Sequence, residues 1–163
     1  MRILGIDPGL AITGYGLVRL PAGAMEPVLV EAGVIRLPAR QSLSKRLKQL
    51  HDELDELLEE LQPQRVAVEK LYAHYKHPRT AILMAHARGV ILLAAQARGL
   101  ELEDLPSTAV KKAVSGYGHA SKQQMQRSIQ MQCGLKQMPS PPDVADAIAI
   151  ALTSARRLGG ARL

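Results

Sequence analysis

Four acidic side chains stand where a folded chain does not ordinarily keep acids. Asp7 closes the apolar run RILGID, in which Ile3, Gly5 and Asp7 share one face of a strand and Leu4 and Ile6 the other. The Asp-Pro-Gly that follows is also plain turn chemistry. Glu69 closes a second apolar strand, RVAVE, whose neighbours place it inside the sheet. Asp143 and Asp146 open the run PPDVADAIAIALTSARR three residues apart, and so share one helix face. An acid in a first turn, such as Asp143, gains from the helix dipole whatever else it does. Asp146 is different, because its face continues through Ala149, Ile150 and Thr153 and carries the carboxylate inward. Uncompensated interior carboxylates cost on the order of several kcal/mol or else hold a proton. A shared divalent cation removes that cost. Hard oxygen donors without a His/Cys framework suit Mg²⁺ or Mn²⁺ rather than Zn²⁺. Two such ions, about 4 Å apart, would activate a water and stabilise the leaving 3′ oxygen of an in-line phosphodiester hydrolysis.

Positioning these acids requires a sheet and helices. RILGID, TGYGLVRL and PVLVEAGVIRL read as three antiparallel strands separated by turn signals at PGL and PAGAME. The period then changes. Leucines at 43, 47, 50, 54, 57, 58 and 61 predict a helix from Ser42 to Gln62, ended by Pro63. That stripe suits packing on a sheet better than a coiled-coil seam. RVAVEK and LELEDL read as short strands flanking an Ala-rich helix over Arg79–Gly99. A helical turn at STAVKKAV, a loop SGYGHAS, the helix KQQMQRSIQMQ and a last helix from Asp143 to about Leu158 complete the chain. The expected fold is α/β, a mixed five-stranded sheet with three antiparallel strands then parallel ones, flanked by helices. Residues 1–158 form one domain, and 159–163 are expected to fray as a flexible tail.

Composition limits the partners. Lys plus Arg total 21 against 15 Asp plus Glu, a net charge of +6, which favours a polyanion such as nucleic acid or an anionic surface. The single cysteine, Cys133, excludes an internal disulfide and a Cys-based zinc cluster, and suits a reducing, cytoplasmic setting with the thiol as small core filler. No charged leader with an apolar core precedes the first strand, and no apolar stretch is expected to reach the roughly 18 to 20 residues that span a bilayer.

LGIDPGLAITGYG, VAVEKLY and DVADAIAIAL, in that order and at those intervals, closely resemble the RuvC-type Holliday-junction resolvases over almost the whole chain. The resemblance implies a ribonuclease H-like fold and a homodimer. It implies two metal-dependent nicks, leaving 5′-phosphate and 3′-hydroxyl ends, placed symmetrically on four-way junction DNA during recombination and repair. A branch-migration motor of the RuvA and RuvB type is the further partner implied. Matched motif by motif, the family's catalytic and metal-binding acids fall on Asp7, Glu69, Asp143 and Asp146. Some relatives carry His at the position of Asp143, whereas this ligand set is all carboxylate.

LYAHYKHPR, directly after Glu69, interleaves tyrosines with cations, a pattern that stacks bases while holding phosphates. Tyr72, Tyr75, Lys76 and Arg79 are the candidates there, with His74 and His77 between them. The resemblance places Tyr72 where relatives carry an aromatic, usually Phe, thought to wedge into the junction centre; tyrosine keeps the π-face and adds a hydroxyl. It also matches Lys111 and Lys122 to basic positions near the scissile phosphate, and Lys112 could share the first role. Arg127, Arg156 and Arg157 extend the expected basic surface. Two opposed nicks need two matched centres, which a two-fold dimer provides. Ala81, Ala85 and Gly89 would let a partner helix approach closely, with packing against the sheet as the equal alternative. A non-catalytic junction-binding module uses the same surface. An actin-like ATPase or sugar kinase, which also has an Asp-x-Gly turn, needs two lobes and more than twice this length.

Overall fold

The computed structural model describes residues 1–71 and 78–160. A five-stranded sheet has the spatial order β3-β2-β1-β4-β5, with β1 at Arg2–Asp7, β2 at Ile12–Arg19, β3 at Val28–Arg36, β4 at Arg65–Glu69 and β5 at Glu101–Leu105. β1–β2 and β2–β3 are antiparallel, while β1–β4 and β4–β5 are parallel. The antiparallel neighbours are joined by turns and the parallel neighbours β4 and β5 through a helix, as connection length requires. The parallel crossovers are α1 (Leu43–Leu61) and α2 (Pro78–Ala97); α3 (Ser107–Ser115), α4 (Lys122–Gln132) and α5 (Pro142–Gly160) follow β5.

Strand alternation splits the core into two layers. Leu4, Ile6, Leu17, Val66 and Val68 face α1 and α2, meeting Leu50, Leu54, Leu58, Ala87 and Ile91. Ile3, Val18, Ala67 and Leu105 face the other way, onto α3, α4 and α5. The leucine stripe of α1 thus packs on the sheet, and Gln62, in a left-handed conformation, caps the helix before Pro63. α5 is apolar nearly all round and is buried from Ala147 to Ala155, since the sheet lies beneath it and α3 and α4 cover it.

Three expectations need correction. The last helix runs past Leu158: α5 extends through Gly160, Gly159 is buried, and a Cβ on it would lie 3.3 Å from the carbonyl of Met25. Arg156 and Arg157 do not extend a free basic surface, because Arg156 pairs with Glu26 at 3.0 Å and Arg157 with Glu103 at 3.3 Å. Finally, α2 has 20 residues and a mean hydropathy of 1.4, enough by length and composition to cross a membrane. Here Ala87, Ile91, Ala94 and Ala95 of that helix are buried in the domain core. Cys133 is half-buried and free, and burial pushes its thiol pKa up, in keeping with a packing role.

Candidate active site

The acids are brought together by three elements ending at one edge of the sheet. β1 and β4 run parallel and adjacent, so their last residues, Asp7 and Glu69, emerge on the same side. α5 begins there and supplies Asp143 and Asp146. It can lie against the sheet because glycines form its bed. A Cβ on Gly5 would stand 2.3 Å from the carbonyl oxygen of Ala147, one on Gly16 2.9 Å from Cα of Ile148, and one on Gly14 2.1 Å from the carbonyl oxygen of Asp143. Gly14 is the register partner of Asp7 across β1–β2. The LGIDPG and TGYG motifs therefore encode both an acid and the surface that seats two more beside it.

Local bonds hold the turn after Asp7. The Thr13 hydroxyl donates to the Gly9 carbonyl at 2.6 Å, and the Arg46 guanidinium donates to the Leu10 carbonyl. On β4, the Nε of Arg88 donates to the Glu69 carbonyl at 3.2 Å, while its other end pairs with Asp104. Arg46 and Arg88 are site residues that the sequence does not mark, since each is an ordinary cation on a helix.

A cleft of ≈ 620 Å³ is lined by all four acids and by Pro8 to Ile12, Arg46, Thr80, Leu83, Met84, Ser107, Val110, Lys111, Lys122 and Met125. Desolvation, then the charges of Asp146, Glu69 and Asp143, hold the Asp7 carboxyl well above the usual aspartate range. Desolvation and Asp146 push Glu69 up to about 7, against the pull of Lys111 and Lys122. Asp146 is raised by desolvation first, with Lys122 opposing and Asp143 adding. The four carboxylates are thus within electrostatic reach of one another, and the two predicted lysines are the cations that moderate them.

Among the described residues, no three His, Cys, Asp or Glu side chains are drawn together at metal-holding distances. Mg²⁺ itself needs only one or two carboxylates plus water and substrate phosphate. The all-oxygen donor set and the raised carboxyls of Asp7, Glu69 and Asp146 fit a hard divalent cation.

The same charges give a testable pH dependence without metal. A carboxyl whose folded pKa lies above its unfolded value favours the fold in its protonated form. The stability it contributes is full below about pH 4.5 and is lost as pH rises through about 7 for Glu69. In EDTA the melting temperature should fall across that window, and Mg²⁺ should restore more of it at pH 8 than at pH 5. A metal effect equal at both pH values would contradict this.

The other expected residues divide. Lys111 and Lys122 line the cleft, whereas Lys112 and Arg79 are exposed and do not. Arg127 is exposed on α4, beside a smaller cleft shared with Tyr117 and Ser128. Tyr72, His74, Tyr75, Lys76 and His77 lie outside the described residues. On α2, Ala85 and Gly89 are exposed and Ala81 half-exposed, so packing against the sheet uses a different set of residues on that helix.

The β3-β2-β1-β4-β5 sheet with acids at the ends of its two adjacent inner strands and on a facing helix is the ribonuclease H-like architecture. Residues 3–154 match the family "Crossover junction endodeoxyribonuclease RuvC". The protein of that name from Moorella thermoacetica is 46% identical over 155 residues, covering 95% of this chain and 91% of its own length. The Thermus thermophilus RuvC structure in complex with Holliday junction substrate superposes with a TM-score of 0.88 at 32% identity, covering 99% of this chain and 96% of that one. The yeast mitochondrial Holliday junction resolvase Ydc2 shares the fold at a TM-score of 0.67 and 15% identity, over 99% of this chain and 84% of its own. The chain belongs to the RuvC family of crossover junction endodeoxyribonucleases.

Proposed function

We propose that this protein is a structure-selective endonuclease that resolves four-way DNA junctions in recombination and repair. It places two symmetric nicks that leave 5′-phosphate and 3′-hydroxyl ends. The observation that carries this reading is the convergence of Asp7, Glu69, Asp143 and Asp146 on one cleft with Lys111 and Lys122 on its wall. The acids would hold two Mg²⁺ or Mn²⁺ ions, which when bound supply the charge that activates water and stabilises the leaving oxygen. Asp7 and Glu69, fixed on neighbouring strand ends, provide the rigid part of the donor set. Asp143 and Asp146 complete it from α5. Lys111 and Lys122 attract the scissile phosphate, and Leu83, Met84 and Val110 narrow the access of bulk water. Tyr72, Tyr75, Lys76, Arg79 and Lys112 would hold the junction arms around this centre, with Tyr72 at its middle.

Two opposed nicks call for a homodimer. On α2, Ile82 and Leu93 are 58% and 64% exposed and lie on one stripe with Ala85 and Gly89, whose open surface admits a second helix. That stripe is our candidate interface. Family membership supports a motor complex of the RuvA and RuvB type as partner and the cytoplasm as the site of action.

Lys122→Ala should slow cleavage about 10- to 100-fold with a smaller change in junction affinity, since the charge matters most at the reacting phosphate. Single-turnover rates and band-shift titrations would separate the two effects. The reading as a whole is tested on an end-labelled synthetic junction with matched duplex as control. Paired nicks that DNA ligase can reseal, in the junction alone, are expected. Tight binding without cleavage in Mg²⁺ or Mn²⁺ would replace the nuclease with a binding module.

A further inference from the structure

Arg46 projects into the catalytic cleft from the layer opposite the lysines. α1 and α2 cover one face of the sheet, and α3, α4 and α5 cover the other. Lys111 on α3 and Lys122 on α4 therefore reach the cleft from one side, while Arg46 on α1 reaches it from the other, beside Gly9 and Leu10. Its guanidinium donates to the Leu10 carbonyl, a contact that tethers the group to the turn after Asp7. Among the described residues no carboxylate pairs with it, and its Nε is buried with no hydrogen-bond partner. An arginine tethered through one nitrogen and left without a counter-anion, in a cleft that takes a polyanion, keeps its charge and remaining N–H donors for a phosphate.

We infer that Arg46 forms a phosphate subsite on the α1 wall of the cleft, taking a phosphodiester of the cleaved strand next to the scissile one, on the side away from Lys111 and Lys122. This inference rests on the nuclease reading above. The strand is then gripped from both layers, with the acids between the grips, so the scissile bond is set over them by cations on either side. Clamping the Leu10 carbonyl couples the grip to the turn that carries Asp7. Lysine in its place keeps the charge and loses the fork, so it substitutes incompletely.

The test is a neutralisation scan. Junctions carrying a single uncharged methylphosphonate at successive positions around the cleavage site are cleaved by wild type, Arg46→Gln and Arg46→Lys. Melting temperatures of the free proteins confirm that the variants fold. For wild type, one position beside the scissile phosphate should cost about 10- to 100-fold in cleavage at sub-saturating enzyme. Arg46→Gln should show that loss on the unmodified junction and no further loss from neutralising that one phosphate. Arg46→Lys should fall between. If Arg46→Gln is slow but keeps the whole wild-type pattern of sensitivity, Arg46 acts only by holding the Leu10 turn, and the subsite is wrong. A wild-type enzyme inert on the unmodified junction would overturn the nuclease reading and this assignment with it.

Discussion

Asp7→Asn should reduce junction cleavage by at least about 10³-fold while leaving junction binding intact. The amide is isosteric and the cleft keeps its lysines, so the phosphate grip survives. What is lost is an anionic donor at the end of the central strand β1, whose carboxyl desolvation and three neighbouring acids hold above the usual range. The same substitution should raise the melting temperature in EDTA, because it removes a carboxylate that desolvation and three neighbouring acids all disfavour. Each kcal/mol gained appears as about 2–4 °C in a domain of this size. The two readouts move in opposite directions, activity down and metal-free stability up, which a merely structural acid would not do. A variant both inactive and less stable in EDTA would show that Asp7 is held by a favourable contact instead.

The second large effect is expected at the glycines under α5. Gly5→Ala puts a methyl 2.3 Å from the Ala147 carbonyl and 2.5 Å from the Ala151 amide nitrogen, both rigid backbone, in the middle of the molecule. Neither β1 nor α5 can move without disturbing the other layers, so the loss should reach about 3 kcal/mol or more. That corresponds to a fall of roughly 6–12 °C in melting temperature. Gly14→Ala meets the Asp143 carbonyl at 2.1 Å, but at the first turn of α5, where the helix start can lift. Its cost should fall more on catalysis than on stability, because the lift carries Asp143 away from Asp7. Urea melts and single-turnover cleavage of both variants would show the contrast. Equal loss of stability, with Gly14→Ala retaining full activity, would contradict the placement of α5 as the part that seats the acids.

Much of this site was legible in the sequence because its residues break local rules. An acid ending an apolar strand, or lying on the inward stripe of a helix, conflicts with its surroundings, and such conflicts mark function. Asp7, Glu69 and Asp146 announce themselves this way, whereas the role of the glycines in LGIDPG and TGYG shows only once α5 lies on them. The split into antiparallel strands and then parallel ones was legible from the turn signals and helical crossovers, whereas the pairing of β1 with β4 was not. The extent of α5 was not either, because Gly159 and Gly160 argue for a helix end, while the tertiary contact of Gly159 with the Met25 segment keeps the last turn closed. The pairing of Arg156 with Glu26 and of Arg157 with Glu103 spans most of the chain and leaves no local trace. Arg46 and Arg88 were hidden for a related reason: a cation on a helix is ordinary, and only the fold shows that one reaches the turn after Asp7 and the other the carbonyl of Glu69. Lys111 and Lys112 are adjacent in sequence and differ by a helical step, so only packing decides that the first faces the acids.

The central claim is that these four acids act together as a divalent metal centre. Diffraction from crystals soaked in Mn²⁺, recorded for its anomalous signal, tests this most directly. Manganese bound between Asp7, Glu69, Asp143 and Asp146, and lost from crystals of Asp7→Asn, is the expected result. Manganese absent from the cleft at concentrations that support cleavage in solution would contradict it.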